Sequence, residues 1–360
     1  MLEQSQLEKV IKDFVDPSTG ISLGDTKAEI KVTAKGDTYH IAISLGYPAK
    51  SYESRLIDEL TTSLNKAGAD KVEIVIDTKI IKHKVQQGVN ILKNIKNIIA
   101  VASGKGGVGK STTSANLALA LAAEGARVGI LDADIYGPSQ PRMLGTTERP
   151  TSADGKTMEP VLSQGLQTMS IGFLIDEEEP MIWRGPMVTQ ALQQLLEETN
   201  WDNLDYLVID LPPGTGDIQL TLSQKVPVSG AVIVTTPQDI SLLDARKAYR
   251  MFEKVNVPVL GVIENMSTHI CSQCGHEEHI FGDGGGQKMA DQYDLHLLGS
   301  LPLDIRIREG ADSGQPSVVS DPQGDAAEAY RSIARRVAAG LAIQSKDYSS
   351  AFPNIVIKND

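Results

Sequence analysis

Gly104-Lys105-Gly106-Gly107-Val108-Gly109-Lys110-Ser111 is the stretch whose reading decides the fold. The apolar run Ile98-Ile99-Ala100-Val101 precedes it and reads as a buried strand. The Ala- and Leu-rich run from Thr112 to Ala123 follows it and reads as a helix. Strand, G-x-x-x-x-G-K-[S/T] loop and helix, in that order, make a phosphate-binding P-loop. Glycine lets the backbone turn tightly enough for successive N–H groups to face phosphate oxygens, and the helix N-terminus adds partial positive charge. The expected cradle is Gly104, Gly106, Gly107, Val108 and Gly109 with Lys110, Ser111 and Thr112. Lys110 reaches the β- and γ-phosphates, and the Ser111 hydroxyl sits on Mg²⁺. A glycine-rich turn without a ligand is the competing reading, and the flanking strand and helix weigh against it.

Outward from the loop, apolar runs at residues 98–102, 128–132, 207–210, 231–235 and 259–264 read as strands, most of them separated by helical stretches. That alternation predicts an α/β fold, a P-loop NTPase with a mostly parallel sheet covered by helices on both faces. Ligands on such sheets bind at the carboxyl ends of the strands. Residues 1–80 read as a separate small α/β unit. It holds a helix with Leu7, Ile11 and Phe14 on one face, a hairpin around Lys35-Gly36-Asp37, a helix over 52–67 and a strand over 72–76. Residues 81–96 read as a linker in which Lys82, Lys84, Lys93 and Lys96 are solvated and His83 is a linker residue. The ATPase domain then spans 97–345 and a tail spans 346–360.

Further polar groups fall where strands end. Asp132 and Asp134, two residues apart, leave one strand in Asp132-Ala133-Asp134-Ile135-Tyr136-Gly137-Pro138-Ser139. A Mg²⁺–triphosphate complex needs oxygen ligands, and the attacking water needs a positioning group. Asp134 as a mere turn cap is the alternative. An apolar strand ending in Asp210 is the Walker B arrangement, so Asp210 holds a Mg²⁺-bound water, and Gly214 and Gly216 after it form a switch loop. Asp217 reads as a helix cap. Gln238 and Asn265 follow two further strands, and their carboxamides can both donate to and accept from adenine. Pro302-Leu303-Asp304 with Arg306 and Arg308 is expected to line the nucleotide pocket. The Phe281–Gly286 run lacks the Lys-Ser ending and reads as a flexible connection.

Cys271 and Cys274 are the chain's only cysteines, so a disulfide framework is excluded. Their C-x-x-C spacing puts two thiolates in reach of one metal. His276 and His279 extend the pattern to C-x-x-C-x-H-x-x-H, so a zinc knuckle stays open beside an iron–sulfur site. A thioredoxin-like pair would want a helix after it, which Gly275 and the polar run that follows do not offer. A pair of inert thiols is the remaining reading.

The 360 residues are 41% hydrophobic and 22% charged, with a formal net charge of −12. That balance argues against nucleic acid or an anionic membrane as the main partner. No apolar run reaches transmembrane length, and the N-terminus lacks a signal-peptide pattern, so a reducing cytoplasmic compartment is expected. The tail carries no basic amphipathic helix, which disfavours membrane targeting.

The second lysine, Lys105, resembles the deviant Walker A class, which includes the ParA/MinD partition ATPases, the nitrogenase iron protein and the Mrp/ApbC iron–sulfur carriers. The Asp132–Ser139 stretch, Trp183-Arg184-Gly185-Pro186-Met187, Asp210-Leu211-Pro212-Pro213-Gly214-Thr215-Gly216-Asp217 and Glu264-Asn265-Met266-Ser267 followed by the cysteine pair are similar to the Mrp/ApbC family over residues 95–335. Residues 1–80 resemble the small iron–sulfur-assembly domain that precedes such ATPases. Gly46-Tyr47-Pro48 lacks the cysteine many relatives carry there, so a docking or regulatory role is expected of it. The resemblance implies that Lys105 reaches the partner's phosphates in a nucleotide-sandwich homodimer, that Asp132 holds the Mg²⁺ shell and that Asp134 orients or activates the water. It also implies that Asn265 contacts the base. Catalysis would rest on Lys105, Lys110 and Asp134. Cofactors would be ATP, Mg²⁺ and a [4Fe–4S] cluster bridging two protomers on paired Cys271 and Cys274, with a [2Fe–2S] centre also open. Its partners would be apo iron–sulfur proteins and cluster scaffold or donor proteins, not nucleic acid or membrane. A partition or positioning ATPase and an ATP-dependent electron donor are the competing functions.

Overall fold

The computed structural model describes residues 3–86, 89–175, 185–271 and 273–344. Its first unit is α1 (Gln4–Asp13), β1 (Val15–Asp16), β2 (Ile21–Ser22), β3 (Glu29–Lys35), β4 (Thr38–Leu45), α2 (Glu53–Lys66) and β5 (Val72–Thr78). β4 lies between an antiparallel β3 and a parallel β5, and α2 makes the crossover. Leu7 and Ile11 of α1 and Leu56, Leu60 and Leu64 of α2 are buried at helical spacing. Each such side chain contributes roughly 1.5–3 kcal/mol of burial.

The second unit begins with β6 (Ile95–Ala102), α3 (Lys110–Ala123), β7 (Val128–Asp132), α4 (Gln140–Met143), β8 (Val161–Ser163) and β9 (Leu166–Ser170). It continues through α5 (Gly185–Glu197), β10 (Leu204–Asp210), α6 (Asp217–Lys225), β11 (Gly230–Thr235), α7 (Asp239–Lys254) and β12 (Val259–Glu264). Its last elements are β13 (His269–Ile270), β14 (Glu277–Glu278), α8 (Gly285–Tyr293), β15 (Leu297–Ser300), α9 (Ile305–Asp312), α10 (Ser317–Ser320) and α11 (Asp325–Ala342). Eight strands form one sheet in the order β15-β12-β11-β6-β10-β7-β9-β8, parallel throughout except for β8. β6, β7, β10 and β11 are apolar without alternation because helices cover both faces. The expected parallel α/β sheet is therefore present. β8, β9 and β15 extend it beyond the strands the sequence predicts. They are three to five residues long and interrupted by Ser, Thr and Gln or Gly, so no period stands out.

The two units share one buried core, which runs from Leu7 and Leu60 through Leu117 and Ala120 of α3 to Val337 of α11. Glu124, the C-cap of α3, is 1% exposed. It accepts the Ser51 N–H at 2.8 Å and the Ser51 hydroxyl at 2.6 Å, and pairs with the buried Arg335 of α11. The far end of the P-loop helix is thus the seat of the N-terminal unit.

Residues 81–96 differ from the expected solvated linker. His83 is buried, and its backbone N–H and Nδ1 both meet Asn97 Oδ1, at 3.1 and 3.0 Å. Lys96 pairs with Asp205 at 2.7 Å, and Lys82 Nζ donates to the Leu92 carbonyl. The segment is held because it lies against the starting ends of β6 and β10, whose polar groups need partners. Trp183, Arg184 and the tail from residue 345 lie outside the described residues.

Candidate functional site

β6 carries the chain into the P-loop at the centre of the sheet, between β11 and β10. Gly107 and Gly109 take φ of 80° and 79°, a left-handed conformation that side chains resist. Gly109 also sits against Asn265, so a Cβ there would fall 2.2 Å from Asn265 Nδ2. α3 then starts at Lys110. It is buried almost all round, as its Ala/Leu composition requires.

Strand register aligns Asp210 with Val101 on one side and Asp132 on the other. The ends of β6, β10 and β7 therefore bring three sequence-distant motifs to one level. Asp210 is fully buried. Its Oδ1 accepts from Lys110 Nζ at 2.6 Å and from the Ser114 hydroxyl at 2.8 Å, and its Oδ2 accepts from Gln140 Nε2 at 3.0 Å. Lys110 Nζ also lies 3.2 Å from the Ser111 hydroxyl. A buried carboxylate and ammonium persist only when paired in this way.

Above this cluster opens a cleft of about 300 Å³ lined by Lys105, Lys110, Ser111, Thr112 and Asp134 among others. No backbone N–H from Gly106 through Thr112 has a protein acceptor among the described residues. Such a row of unused donors beside two lysines fits the phosphates of a nucleotide, and the Ser111 hydroxyl on the cleft wall, with the Asp210 carboxylate behind Lys110, supplies oxygens of the kind a divalent cation takes. Asp134 is half-buried at the cleft wall. Burial pushes its carboxyl above the ordinary value, while the Lys110 charge pulls it down and the Asp210 charge pushes it up.

Asp132, like Asp210, is fully buried behind the cleft and does not line it. Its Oδ1 accepts the Asp134 N–H at 3.1 Å, and its Oδ2 accepts the N–H groups of Ser139 and Gln140 and the Ser170 hydroxyl. It shapes the loop that carries Asp134 from behind. Burial, followed by the nearby Asp210 charge, pushes its carboxyl up to about 7 against the pull of those N–H donors.

Asn265 Nδ2 donates to the Val108 carbonyl at 2.9 Å, so the residue borders the P-loop. Gln238 is the N-cap residue of α7, and its Oε1 accepts from Thr236 Oγ1 at 2.7 Å and Ser241 Oγ at 3.2 Å. It does not line the cleft. Asp304, Arg306 and Arg308 do not line it either. Asp304 caps α9 and pairs with Arg306, and Arg308 pairs with Asp312. Gly216, not Asp217, is the cap of α6. The Gly-rich run after Phe281 is ordered at its end, where Gly284 caps α8 in the left-handed region.

Ser114 and Gln140 were not legible as site residues. Ser114 lies one helical turn from Lys110 and so shares its face, a signal the helix period carries. For Gln140 no sequence signal exists.

The cysteines lie apart from the cleft, at the tip of the β13–β14 hairpin, where His269 faces Glu278 and Ile270 faces Glu277. The Cys271 N–H donates to the His276 carbonyl and the Gly275 N–H to the Cys271 carbonyl, both at 2.9 Å. Cys271 is half-buried and Cys274 exposed. Bonds from the N–H groups of Gln273 and Cys274, then the Cys274 thiol, hold the Cys271 thiol below its ordinary value. His279 Nδ1 meets the Ser267 carbonyl at 2.8 Å. Among the described residues no group of three or more His, Cys, Asp and Glu is arranged to hold a metal. Nor does any helix among them have the length and apolarity to cross a membrane.

Comparison with known proteins agrees with this geometry. Residues 94–338 match the model of the ParA-type family described as NUBPL iron-transfer P-loop NTPase. The iron-sulfur cluster carrier protein of Escherichia coli K12 is 53% identical over 92% of this chain and 90% of its own length. That of Haemophilus influenzae is 52% identical over 94% and 92%. The mouse iron-sulfur cluster transfer protein NUBPL is 53% identical over 68% of this chain and 78% of its own. Among solved structures, the nucleotide-binding protein of Archaeoglobus fulgidus in complex with ADP is 40% identical. It superposes with a TM-score of 0.57 over 65% of this chain and 91% of that one. The septum site-determining protein MinD of Pyrococcus horikoshii, complexed with Mg-ADP, reaches 0.50 at 25% identity over 66% and 94%. The family model covers residues 94–338 and two of these relatives are 52–53% identical over more than nine-tenths of the chain, so the chain belongs to the NUBPL iron-transfer family of ParA-type P-loop NTPases.

Proposed function

We propose that this chain binds and hydrolyses ATP and carries a labile [4Fe–4S] cluster as cargo between two copies, passing it to apo-proteins. The observation that carries the reading is the thiol pair. Cys271 and Cys274 stand together on an exposed hairpin tip with no third ligand grouped beside them among the described residues. A [4Fe–4S] cluster takes four thiolates, so two copies related by a twofold axis supply the set. Lys105, at the cleft wall, would reach the partner's phosphates in the same assembly. Relatives named as iron–sulfur cluster carriers, about half identical over most of the chain, support the cargo. A reducing cytoplasmic compartment suits two unbridged thiols.

In the ATPase step, Lys110 and the amides of the P-loop bind and orient the triphosphate, and Asp134 accepts a hydrogen bond from the attacking water and aligns it. Asn265, next to Gly109, would meet the base, and Gln238 would act on it through the α7 cap. Ser111 and Asp210 would hold Mg²⁺, which neutralises developing phosphate charge when bound. Asp132 keeps the Asp134 loop in place. Catalysis is positioning plus charge stabilisation, with no covalent protein intermediate. The N-terminal unit, seated on Glu124 of the P-loop helix, would serve docking or regulation.

The test is anaerobic reconstitution with iron and sulfide, counting both per dimer. About four of each in the parent, absent in Cys271→Ala/Cys274→Ala, is the expected result. Stoichiometric zinc without sulfide would overturn the cargo assignment.

A further inference from the structure

Gln140 is 0% exposed and stands where three parts of the nucleotide machinery meet. Its Nε2 donates at 3.0 Å to the Ser111 carbonyl, on the P-loop helix, and at 3.0 Å to Asp210 Oδ2, at the end of β10. Its backbone N–H donates at 3.1 Å to Asp132 Oδ2, at the end of β7. Both side-chain neighbours are acceptors, so the carboxamide must turn its NH₂ toward them.

Two features separate this residue from ordinary core filling. Asp210 Oδ1 has two donors, Lys110 and Ser114, whereas Oδ2 has Gln140 as its sole donor among the described residues. The direction of the second carboxylate oxygen is therefore set by one amide. In addition, Gln140 Oε1 is buried and has no hydrogen-bond partner among the described residues. A buried, unsatisfied oxygen costs stability. A methionine of similar length would fill the space without that oxygen. The chain keeps a buried amide with one unsatisfied oxygen in order to place its NH₂ on Asp210 and Ser111, and sites that break a local rule in this way are characteristically functional ones.

We propose that Gln140 is a positioning residue for the ATPase: its carboxamide ties the Ser111 carbonyl to Asp210 and holds the Asp210 carboxylate in the orientation in which, with Ser111, it would serve a bound Mg²⁺. The inference rests on the ATPase reading above. Through its backbone the same residue anchors the loop that carries Asp134, so the P-loop, the Walker B strand and the water-orienting loop share one joint.

The experiment compares the full-length parent with Gln140→Met and Gln140→Glu. It measures ATPase kcat and KM, the Mg²⁺ concentration for half-maximal rate, the affinity for a fluorescent ADP analogue without Mg²⁺, and the thermal midpoint. Losing a hydrogen bond to a charged group predicts a kcat about 10- to 100-fold lower in Gln140→Met, with the Mg²⁺ requirement raised about tenfold. ADP-analogue affinity should stay within about twofold, because the phosphate cradle is untouched. Gln140→Glu keeps the shape but sets a carboxylate against Asp210, and its loss should be deeper. Both variants hydrolysing ATP within twofold of the parent would overturn the proposal. So would a loss of kcat that tracks a fall in ADP affinity and thermal midpoint, since that marks a packing role. A parent without ATPase activity, but with the ADP analogue bound, would overturn the hydrolysis reading itself and the proposal with it.

Discussion

In the nucleotide cleft, Asp210 has no exposed surface and every oxygen of its carboxylate is taken by Lys110, Ser114 or Gln140. In the cysteine hairpin, two strands of two residues each present Cys274 to solvent. One region is saturated by its own chain, and the other is left with two ligands. The contrast follows from what each must handle. Phosphoryl transfer depends on charges held in place before the substrate arrives, and a buried, fully paired network supplies that. Under the proposed function a cargo must be taken up and released, so its site would gain from exposure and from completion by a second copy. On that reading the buried core serves the reaction and the surface hairpin serves the cargo.

Three changes would break or sharpen this contrast. The largest effect is expected at the centre of the cleft. Asp210→Ala leaves the buried Lys110 ammonium, Ser114 and Gln140 without their acceptor, and should cost about 3–5 kcal/mol of stability, read by urea unfolding. A loss below about 1 kcal/mol would show that the cluster relaxes like a surface pair, and the contrast would fail. Next is Gly104→Ala. A Cβ there would lie 2.1–2.6 Å from backbone atoms of Asp244 and Ala245 on α7, which cannot rotate away. The strain should cost about 1–3 kcal/mol and weaken nucleotide binding, measured with a fluorescent ADP analogue. Unchanged binding would mean that α7 does not buttress the loop. The smallest effect belongs to the hairpin. The Cys271 thiol is held low by the N–H groups of Gln273 and Cys274, so its thiolate persists to lower pH than an ordinary thiol's. Iodoacetamide should label Cys271 with a midpoint below about 8.5, while the thermal midpoint barely moves. A midpoint at or above that value would show that the tip is not organised around the sulfur.

The parts legible in the sequence are those whose chemistry is local. The P-loop spacing, the apolar strand ending in Asp210 and the C-x-x-C each carry their meaning within about ten residues. Asp134 and Lys105 both lie at the cleft wall. The misjudged parts depend on distant partners. His83 and Lys96 sit in a stretch with linker composition, yet Asn97 and Asp205 hold them to the sheet. Arg306 and Arg308 are expected from the sequence to line the nucleotide pocket, but each has a carboxylate on its own helix or cap to pair with. For Asp132 the sequence names a carboxylate at a strand end, and only the folded loop shows which N–H groups and hydroxyl meet its oxygens.

By itself, the amino-acid order determined the parallel α/β architecture, the glycine-rich loop between its first strand and helix, and the pairing of two cysteines in one short stretch. Periodicity, glycine placement and ligand spacing are properties of neighbouring residues. The tertiary structure alone decided which buried groups share a proton acceptor. It put Gln140 and Ser114 on Asp210, set Asp132 behind the cleft and seated the N-terminal unit on Glu124. Those outcomes depend on which strand ends align across the sheet, and no local pattern encodes a register that pairs Asp210 with Val101, 109 positions away, and with Asp132, 78 positions away.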